Sequence, residues 1–135
     1  MKTGRDAMQN KVVLHFLGGE LLKGTTADFF PHKDFFHLSE RETGQNKRID
    51  VPTLKAVFFV KDFDGDPAYR EEHDMERRGF GRKMRVLFRD GETIIGYTQG
   101  FSPARQGFIL FPGDPGSNND RIFIVTAATE EINFL

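Results

Sequence analysis

Residues 11–38 and 83–110 can be laid over one another without a gap at an offset of 72. Ten of the 28 columns are identical: Lys11/Lys83, Phe16/Phe88, Gly19/Gly91, Glu20/Glu92, Gly24/Gly96, Thr26/Thr98, Phe29/Phe101, Pro31/Pro103, Phe36/Phe108 and Leu38/Leu110. Val12/Met84, Leu14/Val86 and Leu22/Ile94 keep apolar character as well. Self-similarity of this kind marks a duplicated supersecondary unit. Halves of a 135-residue chain would each have only a marginal core alone, so the copies should gain by packing together. Further on, Arg48–Val51 aligns with Arg121–Ile124 at an offset of 73, and Ala56–Phe59 with Glu131–Phe134 at 75. The expected organisation is one copy at 10–61, a charged linker at 62–82 and a second copy at 83–135. The linker carries seven acidic and four basic residues. Within it, Pro67–Arg78 is expected to form a short helix, with Asp66 as N-cap and Gly79 as the stop.

Each copy reads as β structure. Lys11–Leu17 and Lys83–Arg89 are rich in Val, Leu and Phe, and each ends in a turn signal, Gly18-Gly19 or Asp90-Gly91, that predicts a hairpin. The second strands, Glu20–Phe30 and Glu92–Phe101, carry Gly24 and Gly96 in mid-strand, where a glycine signals a bend or a close backbone approach. Third strands are expected at Asp34–Glu40 and Gly107–Pro112, and fourth strands at Lys47–Val51 and Arg121–Thr126. A short helical turn then leads into last strands at Lys55–Lys61 and Glu131–Leu135. The pairs Phe29-Phe30, Phe35-Phe36 and Phe58-Phe59 place one ring on each face of a strand. One ring of each pair should enter the core and the other should cover the second copy or a partner.

Five strands in about 50 residues with a bent second strand suggest a small barrel. The run of alternating apolar residues, then Asp/Gly-Gly-Glu, then Gly24 or Gly96, followed by a strand such as Phe35-Phe36-His37-Leu38, resembles the first half of an Sm-like (LSm) domain. The resemblance implies an all-β fold of two tandem five-stranded Sm-like or SH3-like barrels, joined edge to edge through strands four and five. It also implies RNA as a partner. The family's Asp-x-apolar-Met-Asn and Arg-Gly-x-Asn motifs are absent, however, and the matching loops hold Phe30-Pro-His-Lys-Asp34 and Val51-Pro-Thr-Leu-Lys55. The whole chain also resembles an uncharacterised bacterial domain family, which implies no activity.

With no Cys, the chain has no disulfides and no thiol nucleophile. Four histidines lack metal-ligand spacing, and His32 and His37 could meet only as a pair across a hairpin. Asp62-Phe-Asp64-Gly-Asp66 alternates acids as a calcium loop does, but Pro67 and His73 stand where such a loop needs Gly and an acid. No phosphate loop or nucleophile elbow occurs, so neither catalysis, nor a metal, nor a cofactor is expected. A net charge of −1 gives no basic field. No apolar run reaches the roughly 20 residues of a membrane span, and Met1–Asp6 has no apolar leader, so a cytoplasmic location is expected.

The candidate ligand residues are few. Lys33 beside Phe35, and Arg105 beside Phe108, put a cation next to an aromatic in equivalent loops, a pairing that suits single-stranded nucleic acid. Ser117, Asn118 and Asn119, in a turn-rich loop, could donate to a small ligand. The leading expectation is a non-enzymatic binding or scaffolding module. It would meet a protein partner, or its own copies, through exposed strand edges or a Phe surface. RNA is the alternative partner.

Overall fold

The computed structural model describes residues 9–72 and 75–135. Ten strands occur in chain order: β1 (Asn10–Phe16), β2 (Leu21–Thr26), β3 (Phe35–Glu40), β4 (Asn46–Asp50), β5 (Leu54–Val60), β6 (Arg82–Phe88), β7 (Thr93–Thr98), β8 (Gly107–Pro112), β9 (Asn119–Val125) and β10 (Thr129–Phe134). Short 3₁₀ turns, Val51–Thr53 and Thr126–Ala128, precede β5 and β10. All pairings are antiparallel, and they form one sheet in the order β10-β6-β7-β8-β9-β5-β1-β2-β3-β4.

The all-β class therefore stands, whereas the tandem Sm-like, SH3-like barrels do not: the sheet is single, continuous and open. A barrel would need β4 to close onto β5 and β9 onto β10. Instead, β5 lies between β1 and β9, which joins the fifth strand of the first copy to the fourth of the second. The edges of β4 and β10 pair with nothing among the described residues. The expected linker helix is also absent. Asp66 O accepts from Tyr69 N and Asp66 Oδ1 from Ala68 N, so Pro67 sits in a single turn. No helix follows through the described part of 67–78; His73 and Asp74 lie outside the described residues.

Registers repeat between the copies. Val12 faces Gly24 as Met84 faces Gly96, and Gly24 faces Glu40 as Gly96 faces Pro112. Both first-to-last strand pairings carry an irregularity, at His15/Phe16 and at Thr129/Glu131. In the fourth strand, Ile49 opposes Phe36 and Ile124 opposes Phe108, so the offset there is already 75 and not 73. All of the extra length therefore enters before β9. An alignment at 73 misplaces the strand by two residues, a shift that preserves every side chain's face and so leaves the apolar pattern intact.

The mid-strand glycines mark close approach. A Cβ at Gly24 would lie 2.3 Å from Ser39 O and 2.9 Å from Leu38 Cγ; at Gly96 it would lie 2.5 Å from Phe111 O and 2.8 Å from Leu110 Cγ. The hairpins β1–β2 and β6–β7 turn at Gly19 (φ 98°) and Gly91 (φ 97°), a conformation that L side chains resist.

One apolar cluster spans both copies, from Val12 and Leu14 through Leu54, Val57 and Phe59 to Phe123 and Ile124. All seven residues of β5 are buried. Lys55 at its start, 8% exposed, donates to Asp90 Oδ2 at 2.7 Å and to Glu92 Oε1 on the second copy's hairpin. Burial alone pushes the Lys55 ammonium down, and the bonds to Asp90 and Glu92 outweigh it, leaving the pKa above 10.5. Lys55 thus locks the two copies across their junction.

Replacing Gly24 or Gly96 with Ala should lower unfolding stability by about 1–3 kcal/mol, because the backbone carbonyl it strikes cannot yield cheaply. Gly100→Ala, with nothing within 4 Å of the new carbon, should stay within about 0.5 kcal/mol of the parent. Urea denaturation of the three variants separates these outcomes.

Candidate functional site

A cleft of about 890 Å³ opens where the copies meet, against β8 and β9 and the loops that precede β3 and β8. Its wall includes His32, Arg105, Phe108, Ile109, Phe111 and Arg121, and no carboxylate among the described residues lines it. Pro31 and His32 come from the first copy and the rest from the second. The two loops are tied together by Gln106, whose Nε2 donates to Pro31 O at 2.9 Å and to Lys33 O at 2.6 Å.

Arg121 lies opposite Phe59 in the β5–β9 ladder, and its guanidinium sits 4.0 Å above that ring. Phe59 belongs to an aromatic cluster that crosses the junction: Phe29 packs edge-on against Phe36 (5.1 Å), Phe59 (5.4 Å) and Phe123 (5.0 Å). Phe29 and Phe59 thus cover the second copy, one of the roles open to the paired phenylalanines. Burial pushes the Arg121 pKa down, partly opposed by Asp120; a guanidinium nonetheless stays charged. Among the described residues no carboxylate or carbonyl accepts from it.

The two expected cation–aromatic pairs are brought close by Gln106, but they differ. Lys33 lies 5.3 Å from the Phe35 ring and 5.9 Å from Phe30, while Arg48 already covers Phe35 at 4.0 Å. Phe108 is 3% exposed and packs edge-on against Phe101 at 4.9 Å, so its face is not open to a base. Arg105 is exposed on the cleft wall. Sequence reasoning passed over Arg121, whose only signal was a cation at the start of an otherwise apolar strand.

Ser117 and Asn118 hold the linker, and Asn119 pairs with Val60 at the start of β9. Ser117, 1% exposed, donates from Oγ to Glu71 Oε1 at 3.1 Å and accepts from Asn119 N at 3.0 Å. The Asn118 side chain accepts from Asp62 N at 3.1 Å and donates to Asp62 O at 2.8 Å. Beside them Asp114 accepts from Tyr69 Oη (2.6 Å), Glu72 N (3.0 Å) and Gly116 N (2.8 Å). Asp64, in the acidic run, pairs with Arg41 and Lys23. His37 Nδ1 is 2.7 Å from Asp28 Oδ2, and the His32 ring lies 6.1 Å from that of Phe30, so the two histidines have separate neighbours. Among the described residues no three acidic or imidazole groups are placed to hold a metal ion. No helix among them is long and apolar enough to cross a membrane.

The bond from Tyr69, with those from the amides of Glu72 and Gly116, holds the Asp114 carboxyl below its ordinary 3.8. A depressed pKa contributes stability that is full above the unfolded value and is lost as pH falls through the folded one. Thermal melts of Asp114→Asn between about pH 2 and 6 should show a lower Tm at pH 6 and a shallower acid decline than the parent. An unchanged decline would remove Asp114 from the acid response.

No curated protein and no solved structure is significantly similar to the chain. Residues 8–135 match a family of unknown function, DUF6982. The chain belongs to that family.

Proposed function

We propose that the protein is a non-enzymatic scaffolding module whose copies join head to tail, β4 of one molecule against β10 of the next. The supporting observation is the internal β5–β9 ladder. β10 is the duplicate of β5 and β4 the duplicate of β9, so the sheet ends in two edges whose counterparts already pair within the chain. Adding 75 to β5 positions and subtracting 75 from β9 positions gives the register: Glu131 opposite Ile49, Ile132 opposite Arg48, Asn133 opposite Lys47 and Phe134 opposite Asn46. Glu131 and Lys47 then lie diagonally on one face, a favourable pair.

The ends differ from the internal junction in one respect. Glu130 occupies the place of Lys55, and Gly18 and Glu20 occupy those of Asp90 and Glu92. The ion-pair lock is replaced by two like charges, which makes the joint weak and reversible.

Sedimentation velocity at rising concentration should show reversible association of the parent. Glu130→Lys, which restores the lock against Glu20, should tighten it at least about tenfold. Proline at Lys47 or at Arg48, whichever turns its amide outward and so leaves the fold intact, should abolish it. Monomers of both parent and Glu130→Lys up to about 1 mM, a concentration at which even weak contacts register, would sink the reading.

A further inference from the structure

The junction cleft has a chemistry that the edge reading does not use. Three cationic or cationisable side chains, Arg121, Arg105 and His32, line it, and among the described residues no carboxylate does. Several cations elsewhere are neutralised within the fold: Lys55 by Asp90 and Glu92, Lys47 by Glu40, and Arg41 by Asp64. Arg121 is the informative member because it is half-buried. A guanidinium drawn out of water loses hydration, and hydrogen bonds to a carboxylate or carbonyl normally make up that loss. Here only the Phe59 face supports it. Stacking uses the π surface of the guanidinium and leaves its in-plane N–H donors free for a bidentate oxyanion.

The remaining wall is mostly apolar, with Phe108, Ile109, Phe111 and Pro31, backbone at Gly100 and Gly107, and the two amide side chains of Gln99 and Gln106. A Cβ at Gly107 would lie 2.2 Å from the Phe123 ring, so this part of the wall is closely packed and preformed. The volume of about 890 Å³ falls within the range of small-molecule sites. A bare inorganic anion would leave the apolar wall wet, and a neutral apolar molecule would leave the guanidinium unpaired.

We infer that the cleft binds a small organic phosphate, its phosphoryl group on Arg121 and Arg105 and a flat apolar body against Phe111 and Ile109. Two guanidinium groups suit a dianion better than a single carboxylate, which one of them would satisfy. The site does not rest on head-to-tail assembly, since every wall residue belongs to one chain.

The test is a titration of the ¹⁵N-labelled full chain, followed by amide and Arg Nε shifts, with phenyl phosphate and adenosine monophosphate as separate probes. Inorganic phosphate and adenosine serve as the two half-ligands. At least one organic phosphate should shift Gly100, Gly107 and the Arg121 Nε, with an affinity at least about tenfold above either half-ligand. Arg121→Met, which keeps the stem over Phe59 and removes the charge, should weaken binding about tenfold or more. Arg105 is exposed, so Arg105→Gln leaves the fold intact and should also weaken binding, while Arg85→Gln on β6 should not. Three results would overturn the inference: no shift with either organic phosphate up to about 10 mM, equal binding of a half-ligand, or unchanged affinity in Arg105→Gln together with a folded Arg121→Met.

Discussion

The ladder between β5 and β9 is the contact on which the rest of this molecule depends. A strand edge presents a row of amides and carbonyls that must find partners or water. By pairing on both sides, β5 turns two five-stranded units into one sheet and removes two of the four edges that separate units would expose. The consequence is written in composition. Leu54-Lys-Ala-Val-Phe-Phe-Val60 is buried throughout, as an inner strand covered on both faces requires. Its duplicate, Thr129-Glu-Glu-Ile-Asn-Phe134, places two glutamates and an asparagine where the inner strand has Lys, Ala and Phe. The same divergence separates β9, with four consecutive buried apolar residues, from β4, where Ile49 alone is buried. Edge position, and not ancestry, governs which residues each duplicate carries.

Much of this was legible in the chain. The 72-residue offset located both hairpins and the mid-strand glycines, and the strand pattern gave five strands per copy, because those features rest on local signals: turn residues, alternation and positions without a side chain. The 3₁₀ turns before the last strands were legible too. Closure was not. The joint of a fifth strand to a fourth was implied by the Sm-like resemblance, and β5–β9 is that joint; that each copy stays open and does not close onto itself is a choice among distant edges with the same alternation, which no local signal distinguishes. The offset of the fourth strand failed for a related reason, since a two-residue slip keeps every face. The linker helix failed because its signals, Asp66, Pro67 and a late Arg pair, serve a single turn equally well. The amide of Glu72 and the hydroxyl of Tyr69 are instead taken by Asp114, more than 40 residues away.

The candidate residues divide along the same line. Lys33, Phe35, Arg105 and Phe108 were chosen as neighbours in sequence, and burial separated them: Phe108 entered the core while Arg105 stayed on the cleft wall. Ser117, Asn118 and Asn119 had the polarity of a ligand loop; Ser117 and Asn118 spend it on the linker, and the Asn119 amide donates to Ser117 Oγ. Arg121 had no signal of its own beyond its charge, because its significance comes from Phe59, a residue 62 positions earlier and in the other copy.

That dependence on both copies also fixes how many such clefts a chain can form. The counterparts of Arg121 and Phe111 in the first copy are Asn46 and Ser39, at offsets of 75 and 72, so the first copy has neither the guanidinium nor the aromatic wall. The counterpart of Phe59 is Phe134, whose ring is already covered by Arg82 at 3.8 Å. A second cleft would therefore not arise where two chains met edge to edge, even in the register of the internal ladder. Duplication supplied the strands twice, but among the described residues the cationic wall occurs at the junction where Arg121 meets Phe59.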